Sequence, residues 1–176
     1  MLFRRFYDDP LAQASYLIGC QATGDAFIVD PNRDADQYIA AAEAERMRIV
    51  GIAETHIHAD FLSGHLELAA HGAAICYGEG AQTDFDIESL ADGQRIDLGE
   101  VQLEIRATPG HTPESISVVI YEHRDSAEPF GVLTGDALFI GDVGRPDLLG
   151  SAGLSADQLA RQLYRSLHDQ LLSLAD

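Results

Sequence analysis

The sequence predicts a mixed α/β domain whose chemistry sits where strands end, and three observations carry that expectation. Short apolar runs recur between Gly, Pro, Asp and Asn turns, which is the length and punctuation of strands. Longer segments near residue 40 and at the C-terminus carry apolar residues at helical spacing. Three of the strand-like runs lead straight into groups that bind metals: Glu54-Thr55-His56-Ile57-His58-Ala59-Asp60-Phe61, Thr108-Pro109-Gly110-His111-Thr112-Pro113 and Thr134-Gly135-Asp136.

Taken in order, Leu2 to Tyr7, Ser15 to Cys20 and Ala26 to Val29 read as an antiparallel meander, with turns at Asp8-Asp9-Pro10 and Thr23-Gly24-Asp25. Asp30-Pro31-Asn32 breaks the meander. A helix follows, with Asp34 as its cap, Gln37 at the reciprocal capping position, and Tyr38, Ile39, Ala42 and Met47 on one face. Ile49 to Ala53 is a buried strand that ends at the His motif. Gly64 to Gly72 reads as a short helix stopped by glycine, and Ala73 to Tyr77 as another strand. The acidic stretch Glu79 to Ala91 reads as an irregular surface loop. Strands are then expected over Arg95 to Leu98, Val101 to Ala107, Ser115 to Tyr121 and Gly131 to Thr134. A last helix is expected from Ser155 to about Leu174, capped by Ser155 with Gln158, its apolar stripe running Leu159, Leu163, Leu167, Leu171, Leu174.

The chain has 176 residues, 46% of them hydrophobic, and no apolar run near the roughly eighteen residues of a membrane span, so one soluble domain over 1–176 is expected. Eleven basic residues, all Arg, against 29 acidic ones give a formal charge of -18. Such a surface repels phosphate backbones and argues against a nucleic-acid partner. Cys20 and Cys76 are too few for a disulfide framework, lie inside expected strands, and fit a reducing cytoplasm. Leu17-Ile18-Gly19-Cys20 has the form of a lipoprotein cleavage box, but Asp8, Asp9 and Pro10 interrupt the apolar segment a signal peptide needs.

In an extended exit from a strand, residues i and i+2 point the same way, so His56 and His58 can converge on one ion with Asp60 a step further on. The alternative is a polar loop with two satisfied histidines. Pro109 and Gly110 make a constrained turn that holds His111 in place. Asp136 would add a carboxylate from a third strand end, although it could simply cap the following turn. Two histidines and one carboxylate leave open positions on iron(II) for dioxygen and substrate. In Gly141-Asp142-Val143-Gly144-Arg145-Pro146-Asp147, Arg145 either pairs with Asp147 or Asp142, or offers its planar fork to a substrate carboxylate. His65, His71, His123 and His168 lie away from the strand ends and read as structural or exposed.

The segments THIHADFLSGH, TPGHTPESIS and TGDALFIGDVGRPDL, in this order, resemble the metallo-β-lactamase superfamily, and within it the persulfide dioxygenase branch with its rhodanese-fused bacterial members. The resemblance implies an αββα four-layer sandwich with the metal at one edge. It also implies one Fe(2+) per chain held by His56, His111 and Asp136, with His58 and Asp60 supporting the ligands and bound water. Arg145 would anchor the carboxylate of the thiol carrier, and Phe61 and Thr134 would border the substrate. The reaction so implied joins a low-molecular-weight thiol persulfide, dioxygen and water to give sulfite and the parent thiol. A rhodanese partner or fused domain in the parent protein is compatible with it.

In the hydrolase branches of that superfamily the first motif runs His-x-His-x-Asp-His, and its last two residues help hold a second metal. Here the final position is Phe61, which cannot ligate. This disfavours the runner-up reading, a glyoxalase II-like zinc thioester hydrolase. Related chains continue past the last helix with another strand and a glycine-rich segment, whereas this sequence ends at Asp176. Without that segment the second sheet would have an open edge that a homodimer could cover. A catalytically inactive remnant of the fold is the third reading.

Overall fold

Three antiparallel strands open the chain: β1 (Leu2–Asp8), β2 (Gln13–Cys20) and β3 (Asp25–Val29). The computed structural model describes residues 1–148, 153 and 155–174. After the meander come α1 (Asp36–Ala44), β4 (Arg48–Ala53), α2 (His65–Ala70), β5 (Ala74–Gly78) and β6 (Glu88–Leu90). Together the strands form a six-stranded sheet in the order β1-β2-β3-β4-β5-β6, parallel from β3 onward. Parallel neighbours need crossovers, and α1 and α2 supply the first two.

The second sheet is antiparallel, in the order β10-β9-β8-β7, built from β7 (Arg95–Asp97), β8 (Gln102–Ala107), β9 (Ile116–Tyr121) and β10 (Gly131–Leu133). A small hairpin, β11 (Leu138–Phe139) with β12 (Asp142–Val143), follows it. The last helix, α3 (Ala156–Arg165), runs on into a wider π-type turn over Ser166–Leu171.

The strand sequences are apolar at consecutive positions because both faces of the first sheet are covered. Ile18, Phe27, Val29, Ala53 and Cys76 point inward and meet Leu103, Ile105, Val118 and Ile120 of the second sheet. Their neighbours Leu17, Ala26, Ile28, Ile52, Ile75 and Tyr77 point outward, onto Tyr38, Ala41 and Ala42 of α1 and Leu68 of α2. On the far side, Leu163 and Leu171 pack with Ala137 and against Val132 and Leu138. The layers are therefore helix, sheet, sheet, helix, as the family resemblance implies. Among the described residues, no helix is long and apolar enough to cross a membrane.

Three local expectations need correction. α1 starts at Asp36, and its cap residue Ala35 makes no side-chain bond. Gln37 instead reaches back to Asn32 Oδ1 at 2.7 Å and to the Asp34 carbonyl at 3.0 Å, so the capping box gives way to a side-chain clamp on the preceding turn. Ser155 does precede α3 but makes no capping bond. The stretch taken as irregular between Glu79 and Ala91 contains β6, a three-residue strand too short and polar to announce itself. The β11–β12 hairpin has only two residues in each strand, too few for a periodic signal.

Tyr38 joins α1 to the sheet through a polar contact inside the outer core. Its fully buried hydroxyl lies 2.6 Å from Ser15 Oγ and accepts the Asn32 N–H at 2.8 Å. Tyr38→Phe leaves that N–H unpaired and is expected to destabilise the protein by about 1–3 kcal/mol. The urea midpoint should fall at constant slope; an unchanged midpoint would show that the hydroxyl contributes nothing.

Candidate metal centre

β4 ends in a segment that is gripped from several sides before it reaches the first histidine. The Glu54 N–H donates to the Cys76 carbonyl at 3.0 Å, and the Thr55 carbonyl accepts the Ile116 N–H of the second sheet at 2.8 Å. The Ile57 N–H donates to Glu114 Oε1 at 2.9 Å. From the end of β3 comes Asp30, itself in left-handed backbone (φ 50°), a conformation that Asp tolerates better than most residues. Its carboxylate accepts the Thr55 N–H at 2.7 Å and the Thr55 hydroxyl at 2.9 Å, and lies 2.9 Å from His58 Nε2.

His56, His111 and Asp136 come together at the rim between the two sheets, their ligand atoms all within 4.8 Å of one another. Asp136 Oδ2 is 3.5 Å from His111 Nε2 and 3.9 Å from His56 Nε2, too far for hydrogen bonds. Donors about 2.1 Å from a shared ion lie roughly 3.0–3.5 Å apart, so the spacing suits a divalent cation with little closure. The two imidazoles stand perpendicular, centroids 4.9 Å apart.

Hydrogen bonding behind each ring fixes the tautomer that a metal requires. With the Thr55 hydroxyl proton given to Asp30, its oxygen accepts from His56 Nδ1, 3.0 Å away. The Arg145 carbonyl, 3.2 Å from His111 Nδ1, can only accept. Both Nδ1 atoms are therefore protonated, and both Nε2 lone pairs face Asp136. Burial, reinforced by the charge on His58, holds the His56 pKa below its ordinary value and keeps the ring neutral. The donor set present fits a borderline divalent metal such as iron(II) or zinc.

A turn and a loop bring the second and third members into place. Gly110, at φ 144°, lets its turn lie against α3, where an added Cβ would come 2.4 Å from Leu163 Cβ. Gly144 touches the site more directly. A Cβ there would meet the Asp136 carbonyl oxygen at 1.8 Å and His111 Cβ at 3.1 Å, so a side chain would push on both residues.

His58 does not face the triad. Its Nε2 is turned to Asp30 and lies 3.3 Å from Glu54 Oε2. Burial alone would lower its pKa, but the charges and hydrogen bonds of Asp30 and Glu54 prevail and raise it to about 10. Asp30, for its part, is depressed: burial opposes ionisation, and the His58 charge and its hydrogen bond outweigh that. Asp30, Glu54 and His58 thus form a second group of potential ligands beside the first.

Asp60 is exposed, and lines a cavity of about 490 Å³ beside the triad together with Phe61, Thr134 and Asp136. The Phe61 ring packs on His58 at 4.3 Å, and the Thr134 hydroxyl donates to the Leu138 carbonyl at 2.7 Å. The Arg145 side chain is exposed and forks onto Asp147 at 2.7 and 3.1 Å, the local ion pair that was one of its two expected roles, while its carbonyl lies behind His111. Asp30, Glu54 and Gly144 were missed. Asp30 did carry a signal, a carboxylate directly after an apolar strand, whereas nothing marked Glu54 as a buried partner.

No protein-family model matches the chain. It is 32% identical over 179 residues to the mitochondrial persulfide dioxygenase ETHE1 of Bos taurus and to that of Homo sapiens, with 99% of this chain aligned. The chain spans 64% of the length of those relatives. It is also 33% identical over 160 residues to a hydroxyacylglutathione hydrolase of Rhodospirillum rubrum, covering 89% of this chain and 59% of that one. Among solved structures, a metallo-beta-lactamase from Staphylococcus aureus superposes with a TM-score of 0.89 at 41% identity, over 99% of this chain and 53% of the other. ETHE1 from Myxococcus xanthus gives 0.84 at 28% identity, over the whole of this chain and 72% of its own.

Two outcomes are expected from this geometry. Gly144→Ala should lower the metal content after loading severalfold, measured by mass spectrometry of the metal, with the far-ultraviolet circular dichroism preserved; undiminished metal would show that Asp136 and His111 tolerate the displacement. In the metal-free protein, the His58 pKa of about 10 against an ordinary 6.5 supplies stability that is complete below pH 6.5 and is lost as pH rises toward 10. The urea midpoint should fall over that window more steeply than in His58→Gln, and parallel declines would remove His58 as the cause.

Proposed function

The chain belongs to the metallo-β-lactamase superfamily, with ETHE1 persulfide dioxygenases among its homologues, and on that premise we propose that it is an iron-dependent persulfide dioxygenase. The reaction converts a thiol persulfide, dioxygen and water into the parent thiol, sulfite and two protons. The observation that carries the proposal is the pairing of Phe61 with His58. Phe61 stands where a ligating histidine would complete a second metal site, and His58 is committed to Asp30 and Glu54. The two-histidine, one-carboxylate donor set of His56, His111 and Asp136 is the metal position this reading uses, beside a second group, Asp30, Glu54 and His58, whose histidine is taken up by the two carboxylates.

Iron(II) bound there would relay electrons from the persulfide sulfur to dioxygen and offer open coordination positions for both. The residues of this chain supply the rest. Thr55 and the Arg145 carbonyl hold the two imidazoles with the proton on Nδ1 and Nε2 aimed at the metal position. His58, protonated and buried between two carboxylates, places a fixed positive charge beside His56, their ring centroids 4.1 Å apart. Phe61 and Thr134 bound the cavity in which the reacting sulfur would sit.

Protein loaded anaerobically with iron(II) should consume oxygen and release sulfite in equal amounts when given glutathione persulfide. His111→Ala should abolish both, together with bound iron. Absence of uptake with every thiol persulfide tried would refute the proposal. The likeness to a hydroxyacylglutathione hydrolase supports a second reading, hydrolysis of a glutathione thioester with two metals, the second at Asp30, Glu54 and His58. Metal analysis separates the two: one ion per chain is expected, and two zinc ions with thioesterase activity would favour the hydrolase.

A further inference from the structure

Both peptide groups that flank His56 are held by the segment that follows His111. On one side the Thr55 carbonyl accepts the Ile116 N–H at 2.8 Å. On the other the Ile57 N–H donates to Glu114 Oε1 at 2.9 Å. The first bond is backbone to backbone and needs no particular side chain. The second needs a side chain at 114 that reaches across from the second sheet and ends in an acceptor. Glu114 is buried, and burying a carboxylate is costly. Asp30 and Glu54 already place two more carboxylates at the same loop, and His58 is paired with those two. The charge-assisted bond to the Ile57 N–H offsets part of that cost.

The seat of Glu114 is fixed independently of that bond. The turn that carries His111 closes on itself: the Thr108 N–H donates to the Ser115 carbonyl at 2.8 Å, the Gly110 N–H to the Thr112 carbonyl at 3.0 Å, and the Thr112 N–H to Ser115 Oγ at 3.2 Å. Its exit lies directly on the end of β5, where a Cβ on Gly78 would meet the Glu114 carbonyl oxygen at 2.1 Å and Ile116 Cγ2 at 2.6 Å. His111 and Glu114 therefore ride on one braced unit. We propose that Glu114 is a positioning residue for the metal centre: its hydrogen bond to the Ile57 N–H sets where His56 stands relative to His111. A single turn of the second sheet then carries one ligand and aims the other. Without the bond, Asp30 still holds Thr55, but the peptide between His56 and Ile57 loses its partner in the second sheet. The proposal rests on the triad as a metal position and is independent of the reaction carried out there.

Three substitutions separate reach, acceptor and charge. Glu114→Gln keeps the length and an acceptor oxygen without the charge, Glu114→Asp keeps the charge but is one methylene short, and Glu114→Met keeps the length without a strong acceptor. In cobalt(II)-loaded protein, the Asp and Met variants should bind the metal about tenfold more weakly and alter its visible ligand-field absorption, the size of effect expected for a group behind a ligand. The Gln variant should match the wild type in both. Urea titration of each variant shows that it is fully folded without denaturant, so that lost stability does not enter the comparison, and either the Asp or the Met variant suffices. Amide exchange at Ile57 in the metal-free protein reads the bond itself, and should be faster in the Asp and Met variants than in the wild type and the Gln variant. Equal cobalt affinity and spectra in all the proteins, a Gln variant as impaired as the others, or a wild type that binds no cobalt overturns the proposal. If the cobalt effects appear while no persulfide supports oxygen uptake, Glu114 stands as a positioning residue and only the dioxygenase reading fails.

Discussion

The carboxylate of Asp30 takes the Thr55 N–H, the Thr55 hydroxyl and the side chain of His58 at one point between β3 and β4. It is wholly buried, so each of these contacts acts in a medium where an unpaired charge would be severely penalised. The direction of the Thr55 hydroxyl, the tautomer of His56, the charge on His58 and the course of the chain through the His motif all follow from it. The left-handed backbone at Asp30 is the local strain accepted to deliver that carboxylate.

Around this anchor the site divides charge in a definite way. His56 and His58 are two residues apart, and a regular extended exit would aim both at one ion. They end in opposite states because their partners differ: a hydroxyl behind His56, two carboxylates around His58. The neutral ring faces Asp136 and the cationic ring faces away. The Phe61 ring packs against His58, so the same short segment that supplies one ligand also forms part of the wall of the cavity beside the triad.

Much of this was legible in the residues. The strands and α2 follow directly from apolar runs and glycine stops, and three strand ends that terminate in chemistry bring His56, His111 and Asp136 forward as candidates, whereas the choice of His56 over His58 as ligand rests on the family resemblance. What stayed hidden depends on relations that one-dimensional spacing does not record. Glu54 is polar at a position that only sheet packing makes fully buried. Arg145 had two readings of equal weight, a local ion pair or a substrate carboxylate, and its pairing with Asp147 depends on side-chain directions that spacing does not record. β6 is a strand because β5 offers it an edge, not because Glu88, Ser89 and Leu90 favour extension.

The ligand set is also split across the sandwich. His56 leaves the six-stranded sheet, whereas His111 and Asp136 leave the four-stranded one, with 54 and 79 intervening residues between the first ligand and the others. These are long loops to close, so the triad cannot exist in an early, locally folded chain and forms only when the sheets dock. A bound ion is then a clasp between halves that fold from different parts of the sequence. Its binding energy would add to the stability of the docked sheets.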